Sequence, residues 1–276
     1  MSLYLGEFYN INGELENTEE KLKEVLDKGK LVYEVIRIID GYPLFFKEHM
    51  ERLYNSCELV NIKPPITSEE VFRSIRDLCS KSTVRFGNIK LVINSESLKY
   101  VLYFIPHYYP EDFEYEEGVK TILYYGERNN PNAKVVDYNF RENIDKEIKK
   151  TKAYEAILIN NEGNITEGSK SNIFVIKNNK VITAPLDAVL PGITRLKIIE
   201  VIKELGISFE ERYVSEKEIK DLSGLFISGT SPKVLPIKEV ENFIFNSKDE
   251  NIVKIRKAFD KIIEKDIKDI KNNSFK

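Results

Sequence analysis

Three short windows of the sequence gather residues able to do chemistry. In Thr166-Glu167-Gly168-Ser169-Lys170-Ser171-Asn172-Ile173-Phe174, an acid, small residues and an amide stand directly before an apolar run, so polar groups would border a dry wall. Gly163 and Gly168 have the spacing of a phosphate-cradling P-loop. However, Ser169 follows where that motif needs lysine, and the preceding residues spell a hairpin turn rather than a strand feeding a helix. In Leu190-Pro191-Gly192-Ile193-Thr194-Arg195, a glycine precedes a helix whose apolar face is Ile193, Leu196, Ile199, Ile202 and Leu205. The first N–H groups of such a helix, with the Thr194 hydroxyl, could seat a phosphate; ordinary helix capping is the alternative. The third window, Phe226-Ile227-Ser228-Gly229-Thr230-Ser231-Pro232, ends a strand in small hydroxyl residues, which by itself is a turn.

The bulk properties narrow what these windows can serve. Of 276 residues, 42% are apolar and 32% charged, which suits a globular chain and excludes a disordered or collagen-like one. The 42 basic and 45 acidic residues are interspersed and leave a net charge of −3, so no nucleic-acid partner is expected. No stretch approaches the ~20 apolar residues of a membrane span, and residues 1–30 show no signal-peptide core. A cytoplasmic protein without a membrane partner is therefore expected. Cys57, Cys79, His49 and His107 lack paired ligand spacings, so neither a metal site nor a disulfide framework is expected.

The elements that must position the windows read as a mixture of helices and strands. Thr18 can cap a helix ended by Gly29, and Leu31–Ile39 reads as a strand. Met50, Leu53, Tyr54 and Cys57 recur at helical spacing. Thr67 and Glu70 form a capping box opening a helix over 68–80, followed by strands over 89–94 and 100–107. The acidic stretch 110–118, bounded by Pro110 and Gly118, reads as an interdomain connection and sets domains of 1–114 and 115–276. In the second domain, strands are expected at 120–125, 156–159, 172–176 and 181–183, and helices at 140–152, 194–205 and 252–270.

Several segments together, in this order and spacing, resemble the class IV aminotransferases, the fold-type IV pyridoxal-phosphate enzymes that include branched-chain and D-amino-acid aminotransferases and aminodeoxychorismate lyase. The segments are Tyr33-Glu34-Val35, His49-Met50-Glu51-Arg52-Leu53, Tyr154-Glu155-Ala156-Ile157-Leu158, Glu167-Gly168-Ser169 with Ser171-Asn172-Ile173-Phe174, Leu190 to Arg195, and Ser228-Gly229-Thr230-Ser231. The resemblance spans Leu31 to Val240. It implies the two-domain fold-type IV architecture, α+β or α/β, with the cofactor between the domains, and a homodimer.

The resemblance also assigns roles. A lysine twenty residues before Tyr154 would hold pyridoxal 5'-phosphate as a Schiff base, and that residue is Lys134. Its amine would then move the α-proton of the substrate. Glu167 would face the pyridine nitrogen. Arg52, Ile193, Thr194 and Thr230 would hold the phosphate, and Leu190 would cover the ring. Tyr33, Arg37, His107 and Ser231 are candidates for contacting substrate. D-amino-acid aminotransferases grip the substrate carboxylate with an Arg-x-His pair, whereas Ile105-Pro106-His107 keeps only the histidine. The implied activity is transfer of an amino group between a small amino acid and a 2-oxo acid. The alternatives are a lyase of the aminodeoxychorismate type and a cofactor-binding module without turnover.

Overall fold

The structure, a computed structural model, describes residues 5–27, 29–128 and 131–272. The chain divides into two compact units. The first runs up to Tyr108 and includes Ala133–Val136 and the chain from Ile262 onward; the second comprises Tyr109–Asn132 and Asp137–Lys261. Helices and strands mix in both.

In the first unit, β1 (Leu5–Ile11) and β2 (Glu14–Glu16) form a hairpin ahead of helix α1 (Glu19–Leu26). Strand β3 (Leu31–Ile39), the short β4 (Tyr42–Pro43), helices α2 (Phe46–Leu59) and α3 (Ser68–Ser82), and strands β5 (Gly87–Asn94) and β6 (Tyr100–Ile105) follow. All pairings in the sheet are antiparallel, in the order β2-β1-β6-β5-β3-β4. The expected capping box at Thr67 and Glu70 is present. The expected last strand stops at Ile105, short of His107.

β3 shows why the alternation of side chains matters. Val32, Glu34, Ile36 and Ile38 are buried, while Tyr33, Val35, Arg37 and Ile39 are half-buried on the opposite face. The buried side packs on Met50 and Leu53 of α2 and on Val71, Ile75 and Leu78 of α3. Period-two alternation thus carries Glu34 into the core along with its aliphatic neighbours.

The second unit opens on α4 (Asp112–Glu117) with a capping box from Glu111 and Glu114, so the acidic stretch read as a connection is a short helix. β7 (Val119–Tyr125), α5 (Tyr138–Thr151), β8 (Glu155–Ile159), β9 (Asn164–Gly168), β10 (Asn172–Lys177) and β11 (Lys180–Thr183) come next. Then follow α6 (Ile193–Glu204), β12 (Phe209–Glu211), β13 (Val214–Ser215), β14 (Gly224–Gly229), β15 (Lys233–Val240), β16 (Phe243–Ile244) and α7 (Glu250–Asn272), of which only the part up to Lys261 belongs to this unit. β9 pairs with both β8 and β10, so the path β10-β14-β15-β7-β8-β9 returns to β10 and closes into a ring of strands. Ile157, Ile159, Ile165, Ile173, Val175, Leu225, Ile227, Leu235 and Ile237 form its apolar core. The ring closes where Glu167 pairs with Asn172 across the tight turn 168–171. The turn of Gly163 thus feeds a strand and not a helix, and a P-loop is absent there.

Candidate active site

In the first unit, the segment of Lys134 is tied to β3. Tyr33 donates its N–H to the Lys134 carbonyl at 3.0 Å, Val136 donates to Leu31 at 3.1 Å, and Val32 bridges Val135. Lys134 donates its own N–H to Ser56 Oγ of α2 at 3.3 Å. Its Nζ lies 4.8 Å from the Tyr33 ring centroid, and Lys90 Nζ lies at the same distance from that ring. Lys134 is half-buried, whereas Lys146, Lys149, Lys150 and Lys152 are exposed on and just beyond α5.

Arg52 is 8% exposed and stands next to Glu34, which is fully buried. Arg52 Nε donates to Glu34 Oε1 at 2.8 Å and Nη2 to Oε2 at 2.7 Å, a bidentate pair. His49 Nδ1 is 2.7 Å from the same Oε2. Burial, the largest single influence, pushes the Glu34 carboxyl upward, but the charge and bonds of Arg52 and the bond from His49 outweigh it and hold it well below the usual carboxylate range. Burial drives His49 downward, more than its bond to Glu34 raises it. His49 is then neutral near pH 7, and the network assigns its proton to Nδ1, donating to Glu34.

Arg37 sits two positions beyond Val35 on the half-buried face that also carries Tyr33, opposite Asn88. His107 is exposed beyond the end of β6, its Nδ1 3.2 Å from the Ile105 carbonyl and its ring near Gly87.

In the second unit, Glu167 lies on β9 and is buried. Its Oε2 accepts from the Leu190 N–H at 3.1 Å and from Asn172 Nδ2 at 3.4 Å; its Oε1 faces Arg128 Nε at 3.0 Å. Arg128 also donates to the Ser169 carbonyl at 2.9 Å. Asn172 Nδ2 donates to the Leu190 carbonyl at 3.0 Å, fixing the approach to Pro191 and Gly192. Leu190, Ile193 and Thr194 are buried, and among the described residues no side chain caps the start of α6, whose first turn carries no acid. α6 packs on β14, and Thr230 and Ser231 are half-buried in the turn between β14 and β15. Ser228 pairs with Asn172 across the strands, and its buried Oγ meets no hydrogen-bond partner among the described residues.

Glu155 holds the ring-closing turn. It accepts from the Lys170 N–H at 2.6 Å, from Ser171 Oγ at 2.9 Å and from Ser169 Oγ at 3.4 Å. Burial pushes its carboxyl above the ordinary value, against the pull of those donors.

The structure therefore joins Tyr33 with Lys134 in one unit, and Glu167 with Leu190 in the other. Sequence reading missed the working partners: Glu34 and His49 were quoted without a role, and Ser56 and Arg128 were not singled out. The alternation of β3 and the spacing 49, 52, 56 on α2 carried a signal for the first three. Arg128, in an irregular segment, carried none.

The family model described as amino-transferase class IV matches residues 31–240. A D-alanine aminotransferase from Bacillus licheniformis is 29% identical over 248 residues, 83% of this chain and 87% of that protein. A putative branched-chain-amino-acid aminotransferase from Methanocaldococcus jannaschii is 29% identical over 259 residues, 86% of this chain and 89% of that one. The crystal structure of a branched-chain aminotransferase from Thermoproteus uzoniensis with norvaline superposes with a TM-score of 0.83 at 25% identity, covering 94% of this chain and 95% of that chain.

Proposed function

Since this chain belongs to the class IV aminotransferases, we propose that it transfers the amino group of a small amino acid, of the branched-chain or D-amino-acid type, to a 2-oxo acid, with Lys134 as its catalytic residue and pyridoxal 5'-phosphate as its cofactor. The donor set fits that cofactor. A buried carboxylate suits a protonated ring nitrogen, an uncapped helix start and nearby hydroxyls suit a phosphate, and the buried Ser228 hydroxyl still seeks a partner. When bound, the cofactor supplies an aldehyde for amines and a ring that draws electrons from the carbon losing its proton.

The observation that carries the lysine assignment is its seating: Lys134 is bonded through its backbone to β3 and α2, while the lysines on and just beyond α5 point into solvent. Lys134 would hold the cofactor through Nζ, and the same amine, once the substrate's amine has displaced it, would accept and return the substrate proton. Glu167, as an acceptor-only carboxylate, holds a proton on the ring nitrogen, with Arg128 keeping that carboxylate oriented. The N–H groups of Ile193 and Thr194, the Thr194 and Thr230 hydroxyls, and Arg52 receive the phosphate. Leu190 presents apolar surface to the ring and excludes water. Tyr33, Arg37, His107 and Ser231 contact the substrate.

We extend this reading to a homodimer working in the cytoplasm, with domains of 1–114 and 115–276. Its support is the family relationship and, among the described residues, the lack of a helix long and apolar enough to cross a membrane. The test is the absorbance of the purified protein with pyridoxal phosphate, mixed with L- and then D-amino acids. Bleaching by one pool and recovery with a 2-oxo acid is the expected result. A band that forms but is never bleached would sink the transaminase reading.

A further inference from the structure

α2 turns one polar stripe, His49, Arg52 and Ser56, into the core of the first unit, and all three are buried. The stripe meets Glu34, which sits between Val32 and Ile36 on the buried side of β3. Holding a helix on a sheet does not call for a buried ion pair. Apolar residues of similar volume do that at lower desolvation cost. What a bidentate carboxylate adds is direction: it fixes the plane and the rotation of the guanidinium.

The geometry of the pair decides which edge of Arg52 is committed. Glu34 takes Nε and Nη2, the side edge, at 2.8 and 2.7 Å. A second oxyanion can then be met in the plane only by the end-on edge, Nη1 with Nη2. His49 bonds the same Glu34 oxygen that Nη2 uses, so the carboxylate cannot rotate away without losing two partners. One turn further along α2, Ser56 holds the backbone of Lys134. The stripe therefore sets the arginine and the lysine from one rigid element.

We propose that Glu34, braced by His49, is a positioning residue that aims the end-on edge of Arg52 at the phosphate of the cofactor, so that this buried triad sets the preference for a phosphorylated over an unphosphorylated pyridoxal. The inference rests on Arg52 being a phosphate ligand, as stated under the proposed function. It goes further in assigning the phosphate preference to two residues that do not touch the phosphate.

The full chain, freed of cofactor, is titrated with pyridoxal 5'-phosphate and separately with pyridoxal, and the ratio of the two affinities is compared between wild type and Glu34→Gln. The expected result is a loss of about tenfold in affinity for the phosphorylated compound, the lower end of what removal of an orienting partner costs elsewhere, with pyridoxal affinity unchanged. His49→Leu, which removes one donor to the same carboxylate, is expected to shift the ratio the same way by less, and stands in if Glu34→Gln does not fold. An unchanged ratio in a folded variant overturns the proposal, and so does an equal loss for both compounds, which is what a merely structural role would give. A wild type that binds both compounds alike overturns the role of Arg52 first, and this inference with it.

Discussion

Tyr33 meets Lys134 twice: its N–H donates to the lysine carbonyl at 3.0 Å, and its ring centroid lies 4.8 Å from Lys134 Nζ. The first contact belongs to the backbone and survives truncation of the side chain. The second depends on the amine, and a contact of that kind is worth about 1 kcal/mol or less at a partly exposed site. Lys134→Ala should therefore melt close to wild type and still accept the cofactor without covalent attachment. Borohydride should fix the cofactor to wild type and not to the variant, as mass spectrometry reads directly, and transamination should fall by about a thousandfold. A variant that is still labelled would move the role to another lysine.

Arg128 and Glu167 form a mostly buried ion pair at 3.0 Å, with side chains 16% and 3% exposed. Removing the cation takes the positive charge from beside a buried carboxylate in the closing strand of the ring. Arg128→Met should cost about 3 kcal/mol in urea unfolding. Because part of that cost is the carboxylate's lost countercharge, Arg128→Met combined with Glu167→Gln should be less destabilised than the sum of the two single changes. Strict additivity would show that the pair contributes nothing of its own.

The residues of the site were legible to different depths, for physical reasons. Lys134, Glu167 and the start of α6 are proposed as site residues because their order and spacing along the chain resemble a family's. The strand of Leu31–Ile39 and the capping box at Thr67 were readable from local pattern alone, and both stand as expected. Three things were not readable. The acidic stretch at 112–117 helps itself into a helix through Glu111 and Glu114, a capping box written in acids rather than in serine or threonine. β9, the strand that carries Glu167, is polar along most of its length, and it is a strand because it has β8 on one side and β10 on the other. Arg128 finds its carboxylate across 39 positions of sequence, and no local periodicity encodes a pairing at that range.

Gly192 is a position where a methyl group does not fit. A Cβ there would stand 2.1 Å from Asn172 Oδ1. Asn172 is buried and its amide is held by the Leu190 carbonyl and by Glu167, so it cannot swing aside freely. Gly192→Ala should therefore destabilise the protein by about 1 to 3 kcal/mol, the range for forced overpacking. It should also weaken cofactor binding, because the start of α6 and Glu167 both lean on Asn172. Calorimetry and a cofactor titration check the two parts separately, and a variant with wild-type values in both would show that the helix start relaxes without consequence.

Glu155 gives a prediction whose sign is fixed by its environment. Burial raises its carboxyl above the ordinary glutamate range even though three donors favour the charged form. In the folded protein it therefore keeps its proton to higher pH than in the unfolded chain. Between those two values the native state binds more protons, so the stability this group contributes is full below its unfolded pKa and is lost as pH rises through its folded pKa. Glu34 and His49 work in the opposite sense: both are held below their ordinary values, so their contribution is lost on acidification. A raw pH profile mixes the two trends, but the difference between Glu155→Gln and wild type cancels Glu34 and His49, which are common to both. The glutamine forfeits part of the bonding to the 168–171 turn, a cost that does not depend on pH. The difference in melting temperature should therefore move in favour of Glu155→Gln as pH is raised from about 5 to about 8, whatever its starting offset. A flat difference, or one moving toward wild type, would mean that the three donors outweigh burial and that Glu155 is ionised at little cost.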